Sequence, residues 1–179
     1  PDKVEREKIK RLADYVDVVA DFSSDPDITQ FAANGRKSEA ENVLMLKVMF
    51  LFKQDVGMMK ILESTSRIFK LSARTIINDG FDINEHAHWG KYVFKKRIDS
   101  WMPSPRPTDC LLITRLFSLC PSLIDDYIQV LQKNISTTMQ TRVDTEHAHF
   151  YNLDKEKLVE LESVHCIGTV ATSGTLEIY

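Results

Sequence analysis

The stretch SRIFKLSARTIINDGFDI, residues 66–83, decides the fold class, because the periodicity of the chain changes there. Before it, apolar residues recur every three to four positions, as one face of a helix requires. Within it, Arg67-Ile68-Phe69-Lys70-Leu71 partly alternates and Thr75-Ile76-Ile77 is β-branched. Asn78-Asp79-Gly80 then supplies turn chemistry, and Phe81 and Ile83 resume the alternation. The pattern predicts a β-hairpin around Asp79-Gly80. A helix over 59–77 is the competing reading.

Upstream, Ile9, Leu12, Ala13, Val16, Val19 and Ala20 fall on one face of a helix over 2–21. Ser23-Ser24-Asp25-Pro26-Asp27 ends it with turn residues. Ser38 and Glu41 form a capping-box signature. The helix behind them should run to about Gln54 and be buried around most of its circumference. Gly57 marks a break, and Met58, Met59, Ile61 and Leu62 suggest a second short helix. The ten-residue apolar run from Val43 to Phe52 contains Lys47 and is about half of a membrane span of roughly 20 residues.

Downstream, Pro103, Pro105 and Pro107 force an extended path and mark a possible subdomain split at 102–107 of one domain spanning 1–179. Thr108 or Asp109 can cap a helix through Leu119, and Pro121 starts another. Leu123, Ile124, Tyr127, Ile128 and Leu131 form the strongest helical stripe in the chain, with Asp125 and Asp126 in its first turn. Residues 141–152 alternate again, and Asp154 caps a short charged helix to about Glu162. Val164–Ala171 and Thr175–Tyr179, joined through Ser173-Gly174, read as a terminal hairpin. The expected class is therefore α+β, predominantly helical, with short antiparallel hairpins around 66–90 and 164–179.

Composition fits an ordinary globular chain: 179 residues, 43% hydrophobic and 27% charged, with Gly and Pro at 6 each. Disordered, collagen-like and low-complexity classes are excluded on that basis. The three cysteines, Cys110, Cys120 and Cys166, form no CxxC, which points to thiols of an intracellular protein, cytoplasmic or nuclear. Asn134-Ile135-Ser136 matches a glycosylation sequon, a triplet that often arises by chance.

Two matching pentads stand out, Glu85-His86-Ala87-His88-Trp89 and Glu146-His147-Ala148-His149-Phe150. On strands, His86 and His88 would share a face, as would His147 and His149. Four imidazoles on neighbouring strands could then converge on a metal or a substrate. On a helix, residues two apart diverge by about 200° and the idea fails. Val143, Thr145, His147, His149 and Tyr151 favour a strand for the second pentad. The first is ambiguous, because Asn84 could cap a helix through Ile98. The paired histidine motifs resemble the twin His-x-Thr/Ser motifs of the 2H phosphoesterase family, with His88 and His149 standing where the family has Thr or Ser. That resemblance implies His86 and His147 as general acid and base on a phosphodiester. No P-loop, GxGxxG, GxSxG or HExxH pattern occurs, so no cofactor or metal is assigned.

Charge is uneven although the net value is −3: 11 of the 23 Lys+Arg but only 6 of the 26 Asp+Glu lie between Val43 and Thr108. Lys91, Lys95, Lys96 and Arg97 interleave with Trp89, Tyr92, Phe94 and Trp101, while Arg67, Lys70 and Arg74 form a second basic group. Cations spread along a surface meet phosphates, and exposed rings stack on unpaired bases. The expectation is a non-enzymatic binding or assembly domain. It would contact single-stranded RNA or another acidic partner, such as an acidic protein, through those seven residues, and could also self-associate. The alternative is a histidine- or metal-dependent phosphodiester hydrolase built on the pentads.

Overall fold

The computed structural model describes residue 16 and residues 18–100, 110–169 and 176–179. The chain is α+β, with mixed sheets and five α-helices among the described residues. Asp25 caps α1 (Pro26–Ala33), its carboxylate accepting from the N–H groups of Asp27 and Ile28. The long helix α2 (Lys37–Gln54) comes next. Asp55 ends it and at once caps α3 (Val56–Glu63), accepting from Met58 N at 2.9 Å. The break is thus set by the Asp55 carboxylate, and Gly57 lies inside the first turn of α3. The capping box is not used. Arg36 occupies the N-cap without a side-chain bond, which puts Ser38 and Glu41 inside the helix. Leu44 and Phe50 on α2 are exposed, so burial covers less of its circumference than its composition suggests.

Residues 66–90 hold strands, but these do not pair with each other. Strand β1 (Ile68–Leu71) runs antiparallel to β6 (Leu116–Leu119), with Ile68 opposite Leu119. Strand β2 (Thr75–Ile77) runs antiparallel to β8 (Cys166–Thr169), with Ile76 opposite Ile167. The Asn78 turn forms, since Asn78 Oδ1 accepts from Gly80 N at 3.0 Å. Beyond it the chain enters a 3-10 turn, Ile83–His86, capped by Asp82. Two other segments also take the opposite form. The helix expected up to Leu119 is replaced by β5 (Cys110–Leu111) and β6, while Thr108 and Asp109 lie outside the described residues. A continuous apolar run suits a strand buried on both faces as well as it suits a helix. The segment expected to alternate at 141–152 contains helix α5 (Thr145–Asn152), because Asp144 caps it by accepting from His147 N at 2.9 Å. Asp154 caps only a 3-10 turn, Lys155–Lys157, before β7 (Leu158–Leu161) begins.

Other expectations hold. Pro121 opens a short 3-10 turn that runs into α4 (Ile124–Thr141), whose stripe of Ile124, Tyr127, Ile128 and Leu131 is buried. Strand β8 pairs antiparallel with β9 (Leu176–Ile178) to give the terminal hairpin. The expected helix over 2–21 falls largely outside the described residues, and its described end, 18–21, is not helical. The proline stretch also lies outside them.

The strands make a four-stranded sheet in the order β1-β6-β3-β7, where β3 is Tyr92–Lys95. A three-stranded sheet has the order β2-β8-β9, and β4 (Ile98–Asp99) pairs with β5. In the larger sheet β1, β6 and β3 are antiparallel neighbours and β7 runs parallel to β3. Alternation sorts the side chains of the larger sheet onto two cores. Tyr92, Phe94, Phe117 and Leu119 point to one side and pack with Met49, Tyr127 and Leu131 of α2 and α4. There Phe94 stacks on Phe117, ring centroids 4.4 Å apart. Leu116 points to the other side and packs with Leu111, Ile113, Val164, Cys166 and Tyr179. Helices, large sheet and small sheet thus form successive layers. No helix among the described residues is long and apolar enough to cross a membrane.

Candidate functional site

The two pentads fold differently. His86 ends the 3-10 turn, is buried against Phe69 and Phe81, and bonds Ser118 Oγ through Nδ1 at 2.8 Å. Burial, with Arg67 nearby, pushes its pKa down to about 4, so it is a neutral imidazole at pH 7. His88 is exposed, and Trp89 is 79% exposed. In the second pentad both histidines are buried on α5 and, two residues apart, turn to different partners. His149 donates from Nδ1 to the Thr145 carbonyl at 2.8 Å and accepts from Tyr127 OH at 3.0 Å. Burial pushes it to about 4. His147 meets Asp144 Oδ1 at 2.6 Å through Nδ1 and Ser100 Oγ at 2.8 Å through Nε2. Neither pentad is a strand, so the same-face argument for a four-histidine site loses its basis. No cluster of three or more His, Cys, Asp or Glu among the described residues could hold a metal ion.

Five of the seven cations already bond to groups of the chain itself. Arg67 is half-buried and spends its guanidinium on Ser118 Oγ at 2.9 Å and on the His88 and Ser118 carbonyls at 2.7 and 3.1 Å. Burial lowers its pKa to about 10. Lys70 points inward, donating to Ser72 Oγ at 2.6 Å and the Thr114 carbonyl at 2.5 Å, and burial lowers its pKa as well. Lys91 donates to the Glu156 carbonyl at 2.6 Å. Lys95 lies over the Tyr179 ring, 5.4 Å from its centroid. Lys96 pairs with Glu162 at 2.5 Å, and Arg97 grips Glu160 with its guanidinium. Arg74 is exposed. Of the interleaved rings, Tyr92 and Phe94 are core, and Trp101 lies outside the described residues.

A cavity of about 360 Å³ lies between the start of α2, the β1–β2 connection and the start of α5. Its walls carry Lys37, Arg74 and Arg115 but also Glu41, Asp144 and Glu177. Glu146 sits in the same wall, accepting from Thr114 Oγ1 at 2.8 Å, and burial raises its pKa. Charges of both signs compensate each other there, which suits a polar ligand of mixed charge better than a phosphate chain.

The least expected feature is the outer face of the three-stranded sheet. Register places Ile76, Ile167 and Ile178 in one cross-strand row, with Leu176 beside them on the same face. Ile76, Leu176 and Ile178 are 71%, 73% and 72% exposed. The opposite face carries Cys166 and Tyr179 into the core. The signal was present in the alternation of Leu176 and Ile178, but alternation does not say which face is covered. Comparison of the chain with protein-family models, with curated protein sequences and with solved structures finds no match.

Proposed function

We propose that this chain is a binding and assembly domain whose contact surface is the outer face of the β2-β8-β9 sheet, and that its partner is a second copy of the chain. The observation that carries this reading is the row Ile76–Ile167–Ile178, two of whose members are more than 70% exposed. An aliphatic patch on the order of 300–600 Å² is the size at which exposed apolar surface on a monomer is often functional. Two copies face to face would bury about twice that, near the ~1,000 Å² that a specific interface needs. The row is aliphatic and uncharged, so it can pack on a copy of itself across a two-fold axis. Sheets pack face to face in this way at about 10 Å.

Contact with RNA or an acidic protein through the basic segment is the other reading. Arg67, Lys70, Lys96 and Arg97 already serve internal partners, which leaves that reading less cationic surface than the sequence suggests. Sedimentation velocity over a concentration series tests the first reading. A concentration-dependent dimer that Ile76→Lys with Ile178→Lys abolishes supports it, and a monomer at every concentration overturns it. A titration against generic single-stranded RNA at low salt tests the second, which predicts salt-sensitive binding.

A further inference from the structure

The geometry points to a nucleophilic site that is separate from the bare sheet face: Ser100, His147 and Asp144 form a nucleophile–base–orienter chain suited to hydrolysing carboxylic esters. Ser100 Oγ lies 2.8 Å from His147 Nε2, and His147 Nδ1 lies 2.6 Å from Asp144 Oδ1. Both distances fall in the range that defines such a chain. An ionised carboxylate only accepts, so in the neutral imidazole Nδ1 carries the proton, Nε2 is left as acceptor, and the Ser100 hydroxyl can donate to it. This is the polarity that removes a proton from the hydroxyl.

The parts come from two elements. Ser100 lies just after β4, which pairs with β5, and Leu112 N just beyond β5 donates to the Glu146 carbonyl at 3.3 Å. That link holds the β4–β5 ribbon against the start of α5, where Asp144 and His147 sit. Capping does not account for the whole arrangement. Asp144 Oδ1 satisfies the helix end by accepting from His147 N at 2.9 Å, and the imidazole bond is made in addition. Ser100 is part-exposed and His147 is buried, so the serine is the end of the chain nearer to solvent.

In the reaction Ser100 Oγ bonds to the ester carbonyl carbon and its proton passes to His147 Nε2. The tetrahedral adduct collapses, the ester C–O bond breaks, and His147 gives that proton to the departing alkoxide, releasing the alcohol. Water then attacks the acyl-serine, loses a proton to Nε2, and the carboxylic acid leaves as Ser100 Oγ takes the proton back. Asp144 acts through His147 as a positioning residue.

A fluorophosphonate probe on the full chain, read by intact mass and peptide mapping, tests this, with p-nitrophenyl acetate hydrolysis as a second readout. The expected result is one probe per chain on Ser100, none on Ser100→Ala, and labelling slowed about 100-fold or more in His147→Gln. Asp144→Asn keeps a good cap, so its thermal midpoint should stay within a few degrees while labelling slows at least about tenfold. A folded wild-type chain that takes no probe overturns the proposal. So does label on another residue, or equal labelling rates in wild type and His147→Gln.

Discussion

Strand β6, Leu-Phe-Ser-Leu, is buried at every position, whereas strand β9, Leu-Glu-Ile, is exposed at every position. Both are short and rich in aliphatic residues, and each sits in a sheet that packs on the core. The difference lies in what covers the second face. The four-stranded sheet has helices α2 and α4 on one side and the second core on the other. The three-stranded sheet has the second core on one side and, for Ile76 and Ile178, solvent on the other. Strand composition therefore reports how apolar a sheet is, and only packing decides whether that apolarity is a core or a surface.

The comparison is broken most severely by Phe117→Ala. This ring is fully buried and stacked on Phe94, so its loss should cost about 3–5 kcal/mol, read as a lower denaturant midpoint. Next comes acidification. His149 packs beside the Phe94 and Phe117 rings, its centroid 6.1 Å from each. Its folded pKa of about 4 lies below the 6.5 of the free side chain, so between those values the unfolded chain binds the extra proton. Stability should fall as pH drops from about 6.5 towards 4, by up to about 3 kcal/mol from this group. His149→Gln should flatten that part of a stability–pH profile. Arg97→Ala removes a part-exposed ion pair with Glu160 and should cost no more than about 1 kcal/mol. The smallest effect on stability belongs to the small sheet. At concentrations where the chain is monomeric, Ile76→Thr and Ile178→Thr should change unfolding free energy by no more than about 0.5 kcal/mol, because in the single chain these side chains are already in water.

Much of the helical layer was legible. The end of α2 at Gln54, the start at Pro121 and the buried stripe on α4 are set by periodicity and by start signals. The terminal hairpin was legible too, since the alternating pattern resumes in the sequence after Ser173-Gly174 and the two strands pair. Residues 110–119 were not, because a strand buried on both faces carries no period to read. The pentads show how context decides. The same Glu-His-Ala-His sequence closes and leaves a 3-10 turn where Asp82 caps by accepting from Asn84 N, and lies within an α-helix where Asp144 accepts from His147 N. Asp144 was visible in the sequence, but alternation from Val143 to Tyr151 matched a strand template and concealed the cap.

The site residues were harder to place. Five of the seven basic residues bond within the chain, to acceptors distant in sequence: Ser118, Thr114, the Glu156 carbonyl, Glu160 and Glu162. The link from Ser100 to His147 spans 47 residues and has no fixed spacing that a motif could capture. Asn134 of the sequon is buried on α4, so its side chain is not presented for glycosylation.

Sedimentation equilibrium of the wild-type chain beside the Ile76→Lys, Ile178→Lys double variant bears most directly on the bare sheet face. A reversible wild-type dimer whose unfolding midpoint rises with protein concentration, and a folded monomeric variant whose midpoint does not, are the predicted result. A wild-type monomer throughout the concentration range, or a variant that dimerises as tightly as wild type, would contradict it.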